Sequence, residues 1–120
     1  MRPSETISLD TLDNYCRNNQ IGHIDLLKLD VEGHELAVLR GAKKILGDAG
    51  IDLLQFEFGG CNIDSRTYFR DFYTLLSPKF RISRVLTNGL WPIEAYSESL
   101  ETFTTTNYLA VRDSVFDASF

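Results

Sequence analysis

Four ionisable side chains fall within six consecutive positions: Asp30, Glu32, His34 and Glu35. They close a short apolar run (Ile24, Leu26, Leu27, Leu29, Val31), and Gly33 sits among them. Clustered carboxylates raise one another's proton affinity, and a carboxylate so tuned can accept the proton of a reacting hydroxyl. Asp30 and Glu32 are the candidates for that role. His34 has the side chain that usually serves as a base near neutral pH, although a lone histidine in the first turn of a helix is commonly a surface residue. A purely structural reading also accounts for the acids: Glu35 complements the positive end of a helix while Asp30 and Glu32 bond turn amides. A further acid, Glu57, ends a second apolar run just before Gly59-Gly60. Asp30, Glu32, His34 and Glu57 would offer a divalent ion mixed oxygen and nitrogen ligands. Neither HExxH nor CxxC spacing occurs, so no metal site is expected.

The elements that must carry these residues follow from periodicity. Asp25–Val31 is nearly continuous in apolar residues, the pattern of a strand covered on both faces. Directly after it Leu36, Leu39, Ala42 and Ile45 recur at helical spacing, predicting one helix over 34–46 with Lys43 and Lys44 in its last turn and Gly47 as its C-cap. Gly41 within that helix suggests a close approach to the sheet. A second strand is expected at 52–58, and the strand–helix–strand spacing implies a parallel crossover. The two acids then share one crevice at the carboxyl ends of neighbouring strands, where ligands bind in open α/β sheets. Upstream, 6–9 reads as a short extended entry and Asp10 as the N-cap of a helix at 11–18. Downstream, Asp64 or Ser65 caps a helix at 66–76 whose Tyr68, Phe69, Phe72, Tyr73, Leu75 and Leu76 form a core stripe, stopped by Pro78. A strand at 80–87, a tight turn at Asn88-Gly89, a polar connection at 94–103, a last strand at 104–112 and a tail at 113–120 complete the chain. Trp91 at the hairpin either covers the crevice or packs on the sheet, packing being the favoured reading.

Composition bounds the rest. The chain has 120 residues, 43% of them hydrophobic, which suits one globular domain with a modest core. With 17 acids against 12 bases and no run of basic residues, it lacks the electrostatic footprint of nucleic-acid or membrane-surface binding. Cys16 and Cys61 form no CxxC pair, and the N-terminus shows no signal-peptide pattern. A reduced, cytoplasmic protein is therefore expected. No GxGxxG, P-loop or GxSxG is found.

The phrase KLDVEGHELAVLRGA at 28–42 resembles the signature of the FkbM-type S-adenosylmethionine-dependent methyltransferases. The resemblance continues through IDLLQFEF at 51–58 and NYLAV at 107–111, covering roughly residues 5–112. It implies the C-terminal half of a class I, Rossmann-like α/β sheet of order 3-2-1-4-5-7-6, with parallel strands and an antiparallel final strand. On that reading residues 1–120 are a partial methyltransferase domain, 113–120 a tail, and the N-terminal half with the glycine-rich cofactor loop is absent. The cofactor-binding residues are then unknown. The implied reaction moves a methyl group from S-adenosylmethionine to a hydroxyl of a small molecule, sugar or lipid. Asp30 and Glu32 would be catalytic, and His34, Glu35, Glu57 and Trp91 would stand on the substrate side. Binding of the cofactor by this chain alone is expected to be weak. The alternative is a non-catalytic half-domain that self-associates, with strand 24–31 as the homodimer edge.

Overall fold

Five strands form one mixed sheet in the computed structural model, which describes residues 9–119. The strands are β1 (Ile24–Lys28), β2 (Ile51–Phe58), β3 (Phe80–Leu86), β4 (Gly89–Pro92) and β5 (Thr106–Arg112), and they lie in the order β1-β2-β5-β3-β4. The protein is thus α/β with an antiparallel final strand, β5, as expected, and the pairings of its mixed sheet are mostly antiparallel. Only β1 and β2 pair in parallel, whereas β2–β5, β5–β3 and β3–β4 are all antiparallel. The reason is topological. β3 runs in the same direction as β2, but β5 inserts between them and replaces one parallel contact by two antiparallel ones. The hairpin turns at Thr87-Asn88, one residue before the expected Asn88-Gly89, and adds β4, which opens on Gly89 at φ 146°.

Helices close one face of the sheet. Along β2, Leu54, Phe56 and Phe58 alternate onto that face and are fully buried. Helix α5 (Phe69–Leu76) packs on them: Phe72 stacks on Phe56 with ring centroids 4.8 Å apart, and Phe69 meets Phe58 edge-on at 5.8 Å. The expected single helix over 34–46 is instead two, α2 (Glu35–Arg40) and α3 (Lys43–Gly47), broken at Gly41-Ala42. Gly41 approaches α1 (Leu12–Asn18) and not the sheet, since a Cβ there would lie 3.2 Å from Thr11. At the break Asp13 reaches back from α1 to accept hydrogen bonds from Lys44 N (2.9 Å) and Ile45 N (3.0 Å), capping α3 in place of local residues. Thr11, not Asp10, is the N-cap of α1, its side chain accepting from Asn14 N. The expected extended entry at 6–9 lies outside the described residues except for Leu9.

Two other segments depart from expectation. The predicted helix at 66–76 begins with a separate turn, α4 (Cys61–Ser65), then Arg66 at φ 55° reverses the chain before α5 starts. The tail expected at 113–120 forms α6 (Asp113–Ser119), held to β3 by Arg81, which pairs with Asp113 and Asp117 and lies over the Phe116 ring. Among the described residues no helix is long and apolar enough to cross a membrane.

Candidate functional site

The parallel pairing of β1 with β2 brings their carboxyl ends together, because Lys28 is in register with Gln55 and Leu29 N donates to Gln55 O at 2.8 Å. Two residues further along each strand stand Asp30 and Glu57. Past Leu29 the chain turns sharply: Glu32 takes φ 50° and Gly33 φ 101°. The turn is fastened from within by Glu35, whose side chain is buried and accepts hydrogen bonds from Val31 N and Gly33 N, each at 3.0 Å. Glu35 therefore belongs to the loop's internal scaffold. Its placement among substrate-side residues is corrected, since a carboxylate committed to two buried amides has no free face for a ligand. The turn-amide role that the sequence suggested for Asp30 and Glu32 falls to Glu35 instead.

Gly33 is pressed against the start of α4: a Cβ there would come within 2.6 Å of the Cys61 carbonyl oxygen. Across that contact Asn62, also buried, accepts from Gly59 N at 2.9 Å and donates to Thr67 Oγ1 at 2.7 Å. Gly59 in turn abuts Thr105, whose Cα would lie 2.4 Å from an added Cβ. Three loops, after β1, after β2 and before β5, are thereby locked into one surface. Asn62 was not legible in the sequence. Its partners are a glycine amide and a threonine, and an isolated asparagine after Gly-Gly reads as an ordinary turn.

On this surface Asp30, Glu32 and His34 are exposed, and none of their side chains makes a hydrogen bond or ion pair among the described residues. Glu57 is half-buried and opposite Asn107, on the face turned away from α5. Trp91 is not part of this group. It stands 64% exposed on β4, the far edge of the sheet with three strands between it and β1, so it neither covers the crevice nor packs into the core.

Next to the strand ends lies a recess of roughly 550 Å³ lined by Tyr68, Arg70, Tyr96, Glu101 and Phe103 among others. Phe103 ties it to β2 through Phe58, with ring centroids 5.3 Å apart. Glu101 anchors it by accepting from Phe69 N (2.6 Å) and Arg70 N (3.0 Å), which caps α5, and by receiving the Tyr96 hydroxyl. That hydrogen bond to a carboxylate holds the Tyr96 phenol above its usual range, so Tyr96 stays a neutral donor. Arg70 lies 5.4 Å from the centroid of the Tyr96 ring. The recess combines aromatic faces with polar groups, and sequence reading had taken 94–103 for a mere connection.

A sulfonium cofactor with an adenosine moiety needs a strand-to-helix turn where the backbone can come close to it. Of the glycines at these strand ends, Gly33 and Gly59 are filled by Cys61 and Thr105, whereas Gly60, the N-cap of α4, is open. The described residues thus gather Asp30, Glu32, His34 and Glu57 on one acidic surface at these strand ends.

The family model described as Methyltransferase FkbM domain matches residues 3–81, about two-thirds of the chain. No curated protein and no solved structure matches it.

Proposed function

We propose a function from the premise that this chain belongs to the FkbM methyltransferase domain family: it carries the acceptor side of an O-methyltransferase. In such a reaction S-adenosylmethionine supplies an electrophilic methyl group. The task left to this chain is to hold an acceptor hydroxyl in line and to take its proton. The observation that carries this reading is the pair of exposed, unpartnered carboxylates, Asp30 and Glu32, on a loop that Glu35 and Gly33 hold rigid. A general base needs a free acceptor atom and a fixed position, and both are present. Glu57 would line the acceptor pocket beside them, and His34 would stand at its rim. The strand order β1-β2-β5-β3 is that of strands 4, 5, 7 and 6 in a class I sheet, which supports reading the chain as the C-terminal half of that fold. Membership of the family favours catalysis over a non-catalytic interaction module. Two free thiols, Cys16 and Cys61, agree with a cytoplasmic setting.

The test is transfer of labelled methyl from S-adenosylmethionine to a panel of sugar, lipid and small-molecule hydroxyls, in a preparation competent for turnover. Asp30→Asn and Glu32→Gln keep the shape of each side chain and remove its basicity. Each should lower kcat by about 10²-fold while leaving cofactor affinity within twofold. Wild-type turnover in both variants would reduce the pair to solvated loop acids.

A further inference from the structure

We propose that His23, Asp25 and Asp52 form a divalent transition-metal site at the amino ends of β1 and β2, at the opposite end of these strands from Asp30 and Glu57. Ile24 is in register with Ile51 and Leu26 with Leu53, so Asp25 and Asp52 stand side by side on one face of adjacent strands. Like charges so placed weaken a ladder unless a cation lies between them. His23 Nε2 reaches both, at 3.2 Å from Asp25 Oδ1 and 3.1 Å from Asp52 Oδ2. That nitrogen carries at most one hydrogen, so two carboxylates compete for a single donor. The nearest guanidinium, Arg112, feels the Asp52 charge, but its Nε and one terminal nitrogen are spent on the carbonyls of Ile51 (2.7 Å) and Leu46 (2.8 Å).

The geometry suits a small ion. A tetrahedral zinc with bonds of about 2.0–2.2 Å separates its ligand atoms by about 3.3 Å. Both nitrogen–oxygen separations are already close to that value, and the three ligand atoms all lie within 4.8 Å of one another. Asp25 is 93% exposed and free to swing inward, leaving a fourth position for water. One imidazole with carboxylates favours zinc and its neighbours over magnesium or calcium. The ion would pin β1, an edge strand whose only partner among the described residues is β2, at the point where both strands begin. Ligands at positions 23, 25 and 52 match no spacing motif, which is why the sequence carries no sign of the site.

Chelator-treated protein is titrated with zinc sulfate by calorimetry, and with cobalt(II) as an absorption probe. The expected result is one zinc per chain, a raised melting temperature, and the visible bands of four-coordinate cobalt without a thiolate charge-transfer band. His23→Ala and Asp52→Asn should each weaken zinc at least tenfold and abolish the thermal shift, with circular dichroism confirming that both fold. His34→Ala and Cys61→Ser should bind as the unaltered chain does. Absence of stoichiometric binding overturns the proposal. So does unchanged affinity in either ligand variant, or a thiolate band that disappears with Cys61→Ser.

Discussion

Glu35 holds the loop after β1 by a pair of charge-assisted hydrogen bonds, and its position two to four residues from both donors makes it a local lock. Glutamine keeps one acceptor oxygen but turns an amide NH₂ toward the second backbone N–H, leaving a buried donor without a partner. Glu35→Gln should therefore cost about 1–3 kcal/mol in denaturant unfolding, more than a helix-dipole role alone would predict. Gly33→Ala tests the same loop from outside, since it forces a side chain onto φ 101° and against the Cys61 carbonyl. A loss of at least ~1–3 kcal/mol is expected. A Gly33→Ala chain as stable as its parent would mean that the loop is free of α4.

At the scale of elements, the short helices survive because carboxylates distant in sequence satisfy their first amides. Helices of five to eight residues are too short to stand by propensity. Asp13 caps α3 across 31 or 32 positions, and Glu101 caps α5 across 31 or 32. Asp13→Ala and Glu101→Ala should each destabilise by about 0.5–2 kcal/mol. Hydrogen exchange separates them: the first should loosen the amides of Lys44 and Ile45, the second those of Phe69 and Arg70. Glu101→Ala should also release Tyr96 and reshape the aromatic recess. If exchange at those amides is unaltered, the caps are not what holds the helices.

For the whole molecule, the sheet face opposite α5 is the more open one, although Val111 and Ser83 on it are buried. Register puts Leu26, Leu53, Leu109, Val85 and Leu90 on it, and Leu26 is 52%, Val85 39% and Leu90 37% exposed. β1 adds an edge that no strand covers among the described residues. Self-association through that edge is the expected outcome, as a dimer where a symmetric register closes. Light scattering over a dilution series should show mass falling toward the monomer, and Leu26→Lys should shift that equilibrium. Leu26 is the informative position because Leu27 faces the covered side. A monomer at tens of micromolar in the unaltered chain would rule the interface out. The same whole-molecule view bears on the cofactor. With Gly33 and Gly59 occluded by Cys61 and Thr105, calorimetry should find S-adenosylmethionine binding weak or undetectable, and micromolar one-site binding would overturn that expectation.

The sequence by itself determined what depends on neighbours along the chain. The apolar runs at 24–29 and 51–58, the aromatic stripe of α5, a hairpin within one residue of its place and the FkbM signature were all legible, because period, turn chemistry and local motif are short-range properties. Asp30, Glu32 and Glu57 were legible as candidates for the same reason: each follows an apolar strand. Tertiary structure alone decided which acid is structural. Glu35 and Glu32 look alike in sequence, and only the left-handed turn at Glu32-Gly33 sends one inward and leaves the other in solvent. It also decided that the hairpin strand β4, with Trp91, forms the edge of the sheet farthest from β1, and that Asp13, Asn62 and Glu101 act as caps or loop ties. It brought His23 between two aspartates, one of them 29 positions away. These are long-range pairings, fixed by strand register and loop packing, and no local spacing encodes them.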